Sequence, residues 1–359
     1  MSKSVTYSRP VKGDKADKVH YNAFGFFRLF FASLVIVSHT PELVDGDQHR
    51  ELLKQIFGTL TFGTFAVYGF FVISGYLITK SFIRAPSVGD YLRKRLARIF
   101  PAFVVASIVC LFAVAPLSGG YTAGGFRHLV DHGLRIVMLA RPRGEYAFPG
   151  QHFNDPGSAL DGVMWTIQYE FACYLLIVVL GKMGLLRRPA WAGLIAAMFF
   201  ILAYLPLPLH WIHNDWLFPQ GDGTFPKLAG VFMIGALYSL VGGALKFNLQ
   251  LAFLALLGLF TTLFLPVLAA PGFAIFGGYL ILAGSPVLGT TMLGRINNRT
   301  DISYGVYLYA WPIEQLLIRY WRGANLFELG ITTWALAATC GYASWRLVEA
   351  PFQRLAQRV

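Results

Sequence analysis

Long apolar runs alternate with short polar ones along most of this 359-residue chain. The apolar runs fall at about 23–40, 56–79, 101–116, 160–180, 190–206, 226–243, 247–268, 272–290, 301–319 and 328–346. Most approach the roughly 20 residues that a helix needs to cross a bilayer core. In lipid, backbone polar groups must be satisfied within the segment, so runs of this kind predict helices. The pattern therefore predicts an all-α polytopic membrane protein with about ten transmembrane helices over residues 23–348, flanked by a polar tail at 1–22 and another at 349–359. One segment breaks the rhythm. Residues 117–159 mix charges, Gly and Pro and are too polar to cross, although 126–140 repeat apolar positions at helical spacing and read as an amphipathic helix at the interface. Between the first two runs lies an acidic loop with Glu42, Asp45, Asp47 and Glu51. The loop 207–224 holds His210, His213, Asp215 and Asp222. No internal repeat and no soluble domain is evident.

Composition sharpens this picture. Apolar residues make up 56% and charged residues 13%, with mean hydropathy +0.55, whereas a soluble domain carries about 25% charge. The net charge of +12 does not point to nucleic acid, because the cations sit in short loops between apolar runs. Their distribution sets orientation instead. With ten crossings, the set of loops that includes both ends carries 20 of the 30 Lys and Arg residues, so the positive-inside bias places both termini in the cytoplasm and the 117–159 segment on the outer side. The 37 glycines fit close helix contacts in lipid. Cys110, Cys173 and Cys340 fall inside apolar runs, are expected to be buried, and offer neither a disulfide framework nor metal spacing. The first run lacks a small-residue cleavage pattern behind it and reads as a span, not a removed signal peptide.

Candidate chemistry begins in that first run, FGFFRLFFASLVIVSHT, which carries Arg28 and His39. Ionisable groups inside a span are costly and are functional by default. Eleven positions at 100° each make three turns plus about 20°, so both residues point to one face about 16 Å apart. His39 suits a general base toward a hydroxyl; the alternative is a histidine satisfied by a neighbouring span. In the basic segment before the third run, Arg95 and Arg98 are three apart and share a helix face, able to grip a phosphate, although orientation and anionic lipid also explain such clusters. Glu170 lies at a depth similar to that of His39, with Trp165 nearer the outer surface. It is a candidate to orient the imidazole, or a structural partner of another span. Ser74-Gly75 permits close approach of a helix or an acyl chain. Tyr304, Tyr307, Trp311 and Glu314 lie near one face of the ninth run and either line a cavity or anchor the span.

Taken together, these residues resemble the bacterial membrane acyltransferase-3 family, which includes O-antigen and exopolysaccharide O-acetyltransferases. The resemblance covers about 20–352 and rests on motifs in order. These are Arg28-x10-His39, Phe70-Phe71-Val72-Ile73-Ser74-Gly75, Arg95-x-x-Arg98, Trp165-Thr166 with Glu170, Ile302-Ser303-Tyr304-Gly305-Val306-Tyr307-Leu308 followed by Trp311-Pro312, and Glu349-Ala350-Pro351-Phe352. Departures are Ala310, where many relatives have His, and Phe171, where they often carry a second carboxylate.

The resemblance implies a cytoplasmic acetyl-CoA or other acyl-CoA donor, used as substrate with no bound cofactor and no metal, and a glycan or lipid-linked glycan acceptor. It also implies the inner (plasma) membrane as the location, with membrane lipids as surroundings. By the same resemblance His39 is catalytic, with Glu170 as its expected partner, and Arg28, Arg95 and Arg98 serve the donor together with Ser74 and Gly75. Trp165, Tyr307, Trp311 and Glu314 are acceptor-site candidates. His39 acts either as base or as covalent acyl carrier. The extra periplasmic hydrolase-like domain of some relatives has no counterpart here, so acceptor delivery uses a separate partner protein or none. Two other readings fit the spans: a transporter or flippase for a lipid-linked glycan, and a scaffold. The scaffold leaves the burial of Arg28, His39 and Glu170 unexplained.

Overall fold

The computed structural model describes residues 22–119, 126–143, 147–148, 160–205, 220–221, 223–242 and 246–358. The N-terminal tail, much of 117–159 and the four His and Asp residues of 207–224 lie outside the described residues. Every regular element that is described is helical. In chain order these are α1 (Phe24–Asp45), α2 (Leu52–Phe57), α3 (Phe62–Arg84), α4 (Val88–Leu117), α5 (Phe126–Val137), α6 (Trp165–Lys182), α7 (Pro189–Tyr204), α8 (Thr224–Val241), α9 (Leu249–Leu263), α10 (Pro266–Gly289), α11 (Ser303–Tyr320), α12 (Leu326–Ser344) and α13 (Ala350–Arg358). Five of them, α1, α3, α4, α8 and α10, are long and apolar enough to cross a membrane by length and composition. Helices α6, α7, α9, α11 and α12 fill the other five expected positions and are shorter or less apolar.

The starts of these helices follow from short polar side chains before each apolar run. Thr61 accepts a bond from the Thr64 N–H (3.1 Å) at the head of α3, and Asn325 forms a capping box with Glu328 at the head of α12. Ser87 does the same for α4 by accepting from the Asp90 N–H. This cap corrects one expectation. The third span does not open at Pro101: α4 begins thirteen residues earlier and carries Pro101 inside it. A proline forfeits one helical bond and crowds the preceding turn, but the helix on both sides keeps its geometry. The basic cluster Arg93, Lys94, Arg95 and Arg98 is therefore helical, not a loop.

A second boundary shifts in the same way. Helix α1 continues past 40 through Pro41 to Asp45 and stops at Gly46, whose φ of 77° is readily available only to glycine. The expected acidic loop is thus largely ordered. Glu51 is buried and accepts a short bond from the Phe62 N–H, and Asp45 pairs closely with Arg50.

Helix α3 packs centrally against α8, with α1, α6 and α10 also against it; α11 pairs with α12 and both meet α1. The segment from 349 is a helix, α13, docked on α4, where the Arg93 Nε donates to the Ala356 carbonyl (3.2 Å). Outward faces are apolar. Phe112, Leu194, Ile201, Leu249 and Phe253 are all at least 60% exposed, apolar surface that water does not favour and lipid does. Cys110 and Cys173 are buried, but Cys340 is exposed, contrary to expectation.

Candidate functional site

Two cavities lie end to end inside the bundle. The first is lined by Arg28 from α1, Ser74 from α3, Arg95 and Arg98 from α4, Glu170 and Tyr174 from α6, and Tyr304 from α11. The second is lined by His39 and Glu42 from α1, Thr64 from α3, Trp165 from α6, Lys227 from α8 and Trp311 from α11. Val67, Thr166 and Tyr307 line both and form the wall between them. Thr166 and Tyr307 share a 2.7 Å hydroxyl bond, and the Tyr307 hydroxyl donates to the Val163 carbonyl (2.9 Å). Four helices thus contribute to both cavities. Residue numbers rise from first to second cavity along α1 and α11 and fall along α3 and α6, as antiparallel neighbours require.

The floor of the first cavity is an ion-pair cluster. Asp301, just before α11, pairs with the Arg28 Nη1 (3.1 Å) and the Arg98 Nη2 (2.6 Å), and Arg98 also reaches Glu349 (3.5 Å). One carboxylate thereby holds two guanidiniums side by side, and Glu349 backs the second. Ser303 donates to the other Asp301 oxygen (2.5 Å), and Asn297 donates to it as well (2.8 Å). Arg95 differs. It forms no ion pair among the described residues, and its buried Nε has no partner there. The Arg98 guanidinium also lies over the Tyr304 ring (5.9 Å), whose hydroxyl donates to the Ile99 carbonyl.

Glu170 belongs to this first cavity. Its Oε1 accepts from the Ser74 hydroxyl (2.6 Å) and the Tyr174 hydroxyl (2.7 Å). The expected pairing of Glu170 with His39 is therefore corrected. The His39 Nδ1 bonds instead to the Glu42 Oε2 (2.8 Å), three residues on in the same helix. Extension of α1 beyond 40 makes this contact possible, since i and i+3 are neighbours only on a continuing helix. A Glu42 carboxylate accepts the Nδ1 proton, which leaves Nε2 as the basic nitrogen. The His39 ring meets the Trp311 ring edge-on at 4.9 Å, and the indole of Trp311 lies so close over Gly162 that a Cβ there would sit 2.4 Å from it.

Two further expected site residues lie elsewhere. Gly75 lines neither cavity. A Cβ on it would be 2.0 Å from the Phe232 carbonyl oxygen, so its role is the close crossing of α3 and α8, with Gly235 against the Val72 carbonyl in return. Glu314 is also absent from both linings. It is 1% exposed and accepts a bond from the Thr40 hydroxyl (2.5 Å), tying α11 to α1. Trp165, Tyr307 and Trp311 do line the second cavity, and Arg28, Arg95, Arg98 and Ser74 the first.

Sequence reasoning missed Glu42, Asp301, Tyr174, Thr166 and Lys227. Two signals were available: an acid three residues after His39, and an acid two residues before Ser303. Tyr174 stands four residues after Glu170, a spacing that favours a helical side-chain bond.

A family model described as an acyltransferase domain matches residues 21–344. A protein named O-acetyl transferase from Shigella phage Sf6 is 28% identical over 349 residues, covering 92% of this chain and 96% of its own. Nodulation protein 10 of Rhizobium leguminosarum bv. viciae is 29% identical over 358 residues, covering 94% of each. No solved structure matches.

Proposed function

Because the chain belongs to the acyltransferase-3 family, we propose that it moves an acetyl group from cytoplasmic acetyl-CoA to a hydroxyl of an envelope or secreted glycan, with His39 in the chemistry. The observation that carries this reading is the pair of cavities meeting at Val67, Thr166 and Tyr307, one lined by three arginines and the other by a histidine. Coenzyme A phosphates dock on Arg95 and Arg98, since guanidiniums bind phosphate in fork geometry. Asp301 keeps Arg28 and Arg98 placed, and no carboxylate among the described residues engages Arg95. The pantetheine arm passes Ser74 and brings the thioester to the shared wall.

His39 works from the far side. Glu42 orients the ring and stabilises its cation, as the acid of a triad does. As base, Nε2 takes the acceptor hydroxyl proton while that oxygen attacks the thioester carbonyl. The C–S bond breaks and the proton passes to the coenzyme A thiolate. As carrier, Nε2 takes the acyl group first and hands it to the acceptor. With ten crossings, the positive-inside count favours both ends in the cytoplasm. The relative named O-acetyl transferase makes acetyl the first acyl group to test.

The test is thioester consumption and glycan acetylation by membranes holding wild type, His39→Ala or Glu42→Gln at matched levels. Loss of about 10²-fold or more in kcat is expected for His39→Ala. For Glu42→Gln a lower kcat is expected, with the donor KM unchanged. Full acetylation by His39→Ala sinks the mechanism. No thioester consumption by wild type sinks the assignment of donor and acceptor.

A further inference from the structure

We infer that the second cavity is built for an anionic acceptor, a glycan that carries phosphate or carboxylate groups. This rests on the acyltransferase reading above and specifies its substrate. Three cations from separate parts of the chain line this cavity: Lys54 on α2, Arg141 after α5, and Lys227 on α8. Glu42 is the one carboxylate among the described lining residues, and it is committed to His39 and Gln48. The described lining thus sets two lysines without an ion-pair partner among the described residues, Lys54 and Lys227, against a single carboxylate that is already engaged.

Ordinary explanations of these cations fail. Orientation does not account for them, because on the proposed topology they lie on the outer side, against the positive-inside bias. Lipid headgroups do not account for them either, since they face a cavity. Internal pairing is absent for two of them: among the described residues, neither Lys54 nor Lys227 forms an ion pair. The recorded neighbour of the Lys227 Nζ is the Tyr204 ring at 5.4 Å. Lys227 also sits in the first turn of a span helix, where a charge without a partner is costly and marks a binding path. A neutral sugar needs only the uncharged donors and acceptors that Gln48, Thr61, Thr64 and Thr224 already present to this cavity. Cations also bond neutral hydroxyls, but the pair with a phosphate or carboxylate, charged on both sides, is the stronger one. The charge has two possible positions on the acceptor, in its sugar units or in a phosphate linkage to a lipid carrier, and both meet the same lining.

The experiment uses membranes that contain the full chain and the native acceptor, with acetyl-CoA labelled in the acetyl group as the probe. The labelled glycan is extracted and passed over an anion exchanger before and after mild acid, which cleaves glycosyl phosphates. Retention before acid is expected. Retention after acid places the charge in the sugars, and flow-through after acid places it in the linkage. In parallel, Lys227→Gln and Lys54→Gln are each expected to raise the acceptor KM about tenfold or more, with the donor KM unchanged and Lys227→Arg restoring most of the loss. An unchanged donor KM shows that the variants are folded. A labelled product that flows through before acid overturns the proposal, as does an acceptor KM that ignores both substitutions. If wild type labels no glycan at all, the acyltransferase reading falls, and this inference falls with it.

Discussion

Arg95 and Arg98 share a helix face and a cavity, yet they do different work. Arg98 is bonded to Asp301 and Glu349, whereas Arg95 has no ion-pair partner among the described residues. Removing Arg98 leaves the buried Glu349 without its cation, whereas Asp301 keeps Arg28; stranding one partner of a buried pair is destabilising. Arg98→Ala is therefore expected to lower the apparent Tm as well as weaken donor binding. Arg95→Ala breaks no such pair. It is expected to raise the acyl-CoA KM about ten- to hundredfold, the worth of a charge-assisted bond, with the apparent Tm nearly unchanged. An unaltered KM for Arg95→Ala would remove it from the donor site. Glu51 makes a prediction about pH. Burial raises its pKa, against hydrogen bonds from Ser38 and the Phe62 N–H. A carboxyl with a raised folded pKa contributes stability below the unfolded value, about 4.3, and loses it as pH rises through the folded value. Glu51→Gln keeps the acceptor oxygen and cannot ionise. Its apparent Tm is expected to gain on wild type from about pH 4.3 upward; a gap that does not change with pH would refute this.

At the scale of elements, the decisive contact is α3 on α8. Gly75 and Gly235 let the two backbones touch, each against a carbonyl of the other helix. Without a hydrophobic drive between helices in lipid, such close packing supplies much of the association. Gly75→Val forces the helices apart and is expected to destabilise by about 1–3 kcal/mol. The reading is a lower apparent Tm in detergent, with loss of donor and acceptor turnover together. A selective rise in donor KM at unchanged Tm would instead return Gly75 to the donor site. The element boundaries also matter for chemistry. Residues 41–45 continue α1, which turns Glu42 from a loop acid into the partner of His39. The cap at Ser87 makes the arginine cluster helical and so aims Arg95 and Arg98 into one cavity.

At the scale of the molecule, two cavities meet at three shared residues. Val67 is the apolar one, and Thr166 and Tyr307 are the hydrogen-bonded ones. If acyl transfer crosses there, Val67→Phe is expected to cut kcat sharply while leaving the acyl-CoA KM near wild type, because the donor cations are untouched. Single-turnover kinetics with labelled acetyl-CoA measures this; an unchanged kcat would place the passage elsewhere.

Much of this was readable in one dimension. Ten apolar runs predicted ten helices, and helices occur at all ten positions, because a backbone in lipid has few other choices. The shared face of Arg28 and His39 followed from helical pitch alone, as did the common face of Arg95 and Arg98. Pairing between distant segments did not follow from pitch. Arg98 and Asp301 are 203 positions apart, and Ser74 and Glu170 are 96 apart. Periodicity places a side chain on a face of its own helix, but which helix that face meets depends on packing across the bundle. The sequence by itself thus determined the helices and the residues able to do chemistry. Only the tertiary structure decided that Glu170 joins the arginines, that Glu42 serves His39, and that a wall of three residues lies between the two cavities.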